Sequence, residues 1–371
     1  MIPVDGDGNP ITSYEEWFDY KDQGTIGVDG KTSKWANAKS KDGSMWVWIP
    51  RYAYSIKSGY HANGLERDSD GISIGENQSG EIDIVFLKGT TDIPTDNFTI
   101  IDRSPILNND DSTQATHMNN YVLHPSFSNN VKLGGWDREL SGFWVAKYEA
   151  SRADATRENE GKEDTIKIQK GVLSWRNLTE NVIFLQCKQM NKKQNVYGFT
   201  DKDIPHQMKS SEWGAVAYLA QSKYGRNKNR VEYNGIAPIS GEAGESNSTT
   251  GNKTGIYDTA GGSDEFLAAH YKNGFVEDGR ELIDCNDLRL KNVYEDYGNQ
   301  MFGDALYETT YHTNGVVAWY KAYVSYCTET KPLINRGGHY ENKYTAASLF
   351  GSFYHIGEAN ELTGFRPVVV I

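Results

Sequence analysis

Two short phrases near the end of the chain constrain its fold more than any other part of it. The first is Arg336-Gly337-Gly338; the second is Gly364-Phe365-Arg366-Pro367, running into Val368-Val369-Val370-Ile371. A glycine pair behind an arginine marks a turn that needs positive φ or room for close backbone approach. The valine run reads as a buried strand. Between the two phrases lie Tyr344, Phe350, Phe353, Tyr354 and His355, interleaved with Asn342, Ser352, Glu358 and Asn360. That stretch follows neither the helical nor the strand period. Rigid aromatics mixed with small, adaptable polar groups are the composition of a contact surface.

The rest of the chain reads as strands with two helices among them, which is the pattern of an α+β fold. Residues 1–40 are polar and turn-rich, and we expect a connector or small attachment subdomain there. Asp5, Asp7, Asn9 and Glu16 have calcium-loop spacing, but Pro10 stands where such a loop needs glycine. A hairpin turn is the expected structure. From residue 41 to 371 the chain reads as one domain, opening with the aromatic strand Met45 to Ile56. Pro50 interrupts it and implies an edge or a bulge. Residues 57–135 read as an insertion of loops and hairpins, with β-like pieces at 82–87 and 98–101. In the following strand, 142–151, Lys147 and Glu149 share a face, and ion pairs with neighbours are expected for both. Asn177 with Glu180 reads as a helix start, carrying on to about Asn191 with Cys187 on its apolar stripe. A second helix should open at Ser210 and stop at Tyr224-Gly225.

Composition narrows the function. The net charge of −12 argues against nucleic acid and anionic membrane surfaces. No apolar run approaches the roughly 18 residues of a membrane span, and the N-terminus shows neither the basic nor the apolar region of a signal peptide. Three cysteines without CxxC spacing fit reduced thiols better than a disulfide framework or a zinc ribbon. Aromatics at 12%, including 23 Tyr and 9 Trp, supply the bulk for a core in a chain only 37% hydrophobic.

The two terminal phrases, with the aromatic segment between them, resemble the end of the C-type lectin fold in its formylglycine-generating-enzyme-like branch. More narrowly, they resemble the variable proteins diversified by retroelements in bacteria and phages, and phage tail proteins of similar build. Residues 142–151, the paired helices, and 303–309 with Trp319 follow in the same order, so the resemblance spans about 42–371. It extends to Gly255-Ile256-Tyr257-Asp258-Thr259-Ala260-Gly261-Gly262-Ser263-Asp264-Glu265-Phe266, with departures. Gly262 replaces an asparagine that helps hold calcium in some relatives, and Asp264 and Phe266 replace two tryptophans. Asp258, Asp264 and Glu265 remain as weak calcium candidates; no cofactor is expected.

The resemblance implies that the segment between the two anchors is a ligand-binding, often hypervariable, surface. We assign contacts to His339, Tyr340, Asn342, Tyr344, Phe350, Ser352, Phe353, Tyr354, His355 and Asn360, and scaffold roles to Arg336, Gly337, Gly338, Phe365 and Arg366. The enzymes of this branch use paired cysteines in this segment, and Gly338 to Gly364 contains none. No hydrolase, metalloprotease, P-loop or dinucleotide motif appears elsewhere. The expectation is a non-enzymatic receptor-binding protein of a phage tail or bacterial surface, with a cell-surface protein or carbohydrate as partner. A divergent enzyme of the same branch and a structural virion component are the alternatives. Oligomeric state is open, although a tail-tip position would favour a trimer.

Overall fold

The valine run is a strand, and it lies inside a sheet. In the computed structural model, which describes residues 1–20, 33–59, 79–95, 121–295, 301–310, 317–342 and 346–371, Pro367–Val370 pairs antiparallel with Gly142–Ala146 on one side and Ile204–Gln207 on the other. The whole sheet runs Ile2–Val4, Asn37–Lys39, Met45–Pro50, Gly142–Ala146, Pro367–Val370, Ile204–Gln207. With a covered sheet face on each side, its central strands read as near-continuous apolar runs, which is why the valines do not alternate with polar residues. Val368, Val369 and Val370 are fully buried.

The first forty residues, expected as a connector, supply two strands of this sheet. Trp35 is fully buried and donates its indole N–H to the Tyr224 carbonyl at 2.8 Å. The turn at Asp5 is held by its own carboxylate, which accepts the amides of Asp7 and Asn9. The aromatic strand breaks at Arg51, next to Pro50, but the edge position expected there is not what is found: Met45–Pro50 lies between Asn37–Lys39 and Gly142–Ala146, and Pro50 is paired with Gly142. Met45–Pro50 stays in the first sheet, while Tyr52–Ser58 pairs with Glu81–Phe86 and Val122–Leu123. Arg51 sits at the break, buried, and bonds Asp92, Glu139 and the Phe127 carbonyl. The β-like piece at 98–101 lies outside the described residues.

A second sheet carries the terminal segment. Its order is Asn292–Tyr294, Asp264–Tyr271, Leu333–Arg336, Ser352–His355, and Thr363–Phe365 pairs in parallel with the start of Asp264–Tyr271. Short, mostly antiparallel sheets and three α-helices among the described residues make the fold α+β. Ser210–Gln221 begins where the sequence places it and is buried along all twelve residues. The first helix starts later than expected, at Glu180, because Asn177 takes a left-handed conformation (φ 58°) and Thr179 becomes the flanking residue. It ends at Lys188 with Cys187 buried.

Lys147 and Glu149 are structural, but their bonds are to neutral partners. The Lys147 ammonium donates to the carbonyls of Gly6 and Lys253 and to Asn37 Oδ1, and Glu149 accepts from Ser174 and the Ser263 amide. Both are fully buried, where an uncompensated charge is costly. Burial accordingly lowers Lys147 to about 7 and raises Glu149 well above its usual range.

Candidate functional site

Both terminal phrases act as anchors. Arg336 is fully buried and donates to the carbonyls of Gly351 (2.7 Å), Asp304 (2.9 Å), Ala305 (3.2 Å) and Leu349 (3.4 Å). It ties the start of the segment to its own return and to the 303–309 loop. Gly337 and Gly338 follow with φ of 88° and 68°, and a Cβ on Gly338 would meet the Ala346 carbonyl at 2.5 Å. Only glycine fits there. At the other end, Arg366 donates to both oxygens of Glu265 and to the carbonyls of Ala146 and Tyr257. Phe365 is fully buried beside Trp175.

The ten contact candidates divide. Two belong to the core. Phe350 is 1% exposed and packs against Trp319 and Tyr320; Ser352 is fully buried and bonds the Ser325 carbonyl. Both were expected as contacts, but the segment must cover the hydrophobic cluster beneath it, and these positions do so. Tyr344 lies outside the described residues. Phe353 is half-buried, stacked on Tyr323 at 5.3 Å. His339 and Asn342 brace each other in a tight turn: Asn342 Oδ1 accepts the His339 amide at 2.8 Å, and its Nδ2 lies 2.9 Å from His339 Nε2.

Tyr340, Tyr354, His355 and Asn360 remain, and they line two adjoining hollows. One, of about 560 Å³, is bounded by Arg176, Tyr340, Glu341, Asn360 and Glu361. The other, of about 270 Å³, is bounded by Asp264, Phe266, Lys331, Asn335, Tyr354, His355, Glu358, Asn360 and Thr363. Asn360 and Ala359 line both, so the two form a continuous face. Asn360 caps its own turn, with its side chain accepting the Leu362 amide at 2.7 Å.

The floor of the smaller hollow follows from strand register. Side chains two apart share a sheet face, so Asp264 and Phe266 go together. Asn335 is opposite Phe266, Thr363 is opposite Asp264, and His355 is opposite Leu333. Sequence reading missed Asn335 and Phe266 as site residues and gave Asp264 only as a weak calcium candidate. The signal that points to it is a carboxylate at the head of the strand Asp264–Tyr271, all eight residues of which are buried.

The calcium candidates face different partners. Asp258 accepts from Asn234 and the Gly241 amide, Glu265 is bonded to Arg366, and Asp264 faces the hollow. Among the described residues no three His, Cys, Asp or Glu side chains group to hold a metal ion. Gly262, where the resembled pattern has asparagine, takes φ 76°, and a Cβ there would lie 2.6 Å from Glu149 Oε1.

Burial sets the protonation of the hollow. It raises Asp264 to about 8, with no protein partner to offset it. It lowers His355 to about 3, opposed only weakly by the nearby Ile334 carbonyl. Both groups are therefore neutral at pH 7. The folded protein keeps a proton on Asp264 between pH 3.8 and about 8 that the unfolded chain gives up, so this group's contribution to stability is lost as pH rises across that window. Asp264→Asn removes the effect. We expect its stability relative to wild type to increase from pH 4 to pH 8, by at most about 5 kcal/mol, as read by urea melts at the two pH values.

Comparison of the sequence with family descriptions and with curated proteins gives no match. Among solved structures, the chain is similar to Treponema denticola variable protein 1, with 12% identity and a TM-score of 0.31 over 62% of this chain and 85% of that one. It is also similar to PvdO from Pseudomonas aeruginosa, with 10% identity and a TM-score of 0.32 over 92% of this chain and 100% of that one.

Proposed function

We propose that the chain is a non-catalytic binding protein of the C-type lectin-like, formylglycine-generating-enzyme-like build, which recognises a partner through the face that carries Tyr340, Tyr354 and Asn360. The observation that carries this reading is the division of labour within the terminal segment. Two buried arginines fix its ends, Phe350 and Ser352 fasten its middle to the core, and Tyr340, Tyr354 and Asn360 are left lining open hollows. Aromatic and amide side chains held on a rigid frame supply contact area at small entropic cost. The fitting setting is a phage tail or a bacterial surface, with a cell-surface molecule as partner and no nucleic acid.

Tyr340→Ala, Tyr354→Ala and Asn360→Ala test the proposal together. Apart from the Asn360 bond to the Leu362 amide, whose loss costs about 1 kcal/mol, these side chains make few contacts that the fold needs, so thermal unfolding should stay within about 2 kcal/mol of wild type. Binding of the purified protein to intact bacterial cells should fall about tenfold or more in the triple variant. Unchanged cell binding would place the function elsewhere in the molecule.

A further inference from the structure

The first helix opens on a side chain whose oxygens the fold leaves unpaired. Glu180 is fully buried, and neither of its carboxyl oxygens has a hydrogen-bond partner among the described residues. The Gln207 side chain lies beside it, equally buried. Gln207 Nε2 donates to the Phe266 carbonyl at 2.9 Å, and Gln207 Oε1 is left without a partner. Three acceptor oxygens are thus enclosed together with no donor among the described residues. Buried polar atoms are rarely left in that state, and a proton on Glu180 resolves it. An ionised carboxyl group only accepts, whereas a protonated one has an O–H to give.

The elements packed against the helix do not hold the charged form. His206 of the strand Ile204–Gln207 is bonded to Glu212, and Arg280 is paired with Glu277. Among the described residues neither these groups nor Asp278 and Glu281 act on Glu180. Cys187, on the same helix, does feel Glu180; its own burial, with that carboxyl beside it, keeps it a neutral thiol. Burial raises Glu180 to about 8, by more than the Gln207 amide draws it down. The helix start in turn carries part of the terminal segment. The Glu180 amide donates to the Gly357 carbonyl and the Asn177 amide to the Asn360 carbonyl, both at 3.0 Å. Arg176 adds a bond to the Glu361 carbonyl. Residues 176–180 are therefore the seat of 357–361, which includes Asn360. Gln207 ties that seat to both sheets, since it belongs to the first and bonds Phe266 of the second.

We infer that Glu180 is a neutral acid whose hydroxyl donates to Gln207 Oε1, and that through this bond it acts as a positioning residue for the binding face. The inference rests on the reading that this face recognises a partner, and it adds a pH response to that reading. The seat is firm while Glu180 keeps its proton. Ionisation in place would bury an unpaired charge beside an acceptor, so the helix start opens instead. The closed form holds a proton between pH 4.5 and about 8 that the opened form gives up. The stabilisation is therefore complete below pH 4.5 and is lost as pH rises to about 8.

The test uses the full-length chain with glutamate isotopically labelled at the side-chain carboxyl carbon. NMR identifies the Glu180 resonance as the one missing from Glu180→Gln. It should titrate near pH 8, and titration near the ordinary 4.5 overturns the neutral acid. Glu180→Gln keeps the shape and gives an N–H to Gln207 Oε1, so it should fold like wild type without the pH response. Hydrogen exchange of the peptide spanning 356–362 reads the seat. Its rate in wild type relative to Glu180→Gln should rise about 25-fold between pH 6.5 and pH 8.5. Glu180→Leu, with no donor to give, should exchange fast at both pH values, and glutamine at that position should restore the protection. A ratio that stays flat while Glu180 titrates near 8 overturns the positioning role. Binding to intact bacterial cells should weaken from pH 6.5 to pH 8.5 more in wild type than in Glu180→Gln. If the exchange ratio rises while the two proteins bind cells equally at both pH values, the bond to Gln207 stands and the reading of this face as the binding face falls.

Discussion

Arg366→Met will destabilise the folded chain by about 3–5 kcal/mol, the usual cost of removing one partner from a buried ion pair. Arg366 is fully buried, bonds both oxygens of Glu265, and also satisfies the carbonyls of Ala146 and Tyr257. Without it Glu265 is left buried and uncompensated, near Asp258 and Glu149, whose charges already act on one another. Burial holds Glu265 above its usual value even with Arg366 drawing it down. Removing the guanidinium raises it further. The sign of the pH dependence follows: the variant's deficit should shrink as pH falls and Glu265 takes up a proton, and grow toward neutral pH. Adding Glu265→Gln should recover part of the loss, so that the double variant is more stable than the sum of the singles predicts. Urea unfolding at pH 5 and pH 8 measures all three. A deficit below about 1 kcal/mol at both pH values would show that this pair is not what holds the segment's far end.

Phe350→Ala will cost about 3–5 kcal/mol, the range for emptying a buried aromatic site. The side chain is 1% exposed and packs against Trp319 at 5.2 Å and Tyr320 at 6.1 Å between ring centres. Its neighbour Leu349 accepts bonds from Trp213 and Arg336, so a collapse there would loosen the whole return of the segment. Lost cell binding in Phe350→Ala would therefore accompany a lowered melting temperature, whereas in Tyr354→Ala it would not. A Phe350→Ala protein that melts like wild type would mean that the ring is expendable to the core. The pair of variants separates a fastening residue from a contact residue four positions away.

That distinction also marks where sequence reading stops. The anchors were legible because their chemistry is local: a Gly-Gly pair needing positive φ, an arginine beside it, and a valine run too apolar for any exposed strand. Ser210–Gln221 was legible for the same reason. Within the segment, nothing in the order of residues says that Phe350 turns inward and Tyr354 outward: Phe350 precedes the strand Ser352–His355 that carries Tyr354, and the sequence shows no period that would reveal so short a strand. Three-dimensional neighbours decide: Trp319 and Tyr320 lie beneath one, open space beside the other. The floor of the smaller hollow was harder still to see. Asp264, Asn335 and His355 come from three strands and meet only through register, and Asp264 read alone is a metal-ligand candidate. The late start of the first helix has the same origin, since Asn177 donates its amide to the Asn360 carbonyl instead of capping.

The place of Pro367–Val370 in the middle of the first sheet bears on how the chain reaches its fold. Gly142–Ala146 and Ile204–Gln207 are both made long before residues 367–370 leave the ribosome, and neither strand pairs with the other. Until the last strand arrives they present unpaired edges, with N–H and C=O groups open to any passing strand. Arg366 and Ala146, which must find each other, are 220 positions apart. Closure over such distances is slow, and a slow, edge-exposed intermediate is the species that aggregates. Yield on expression should therefore depend on how quickly the final strand docks, and cooler synthesis or a chaperone that shields open edges should raise it. The centre of the first sheet is thus completed only after some 160 further residues have followed Gln207.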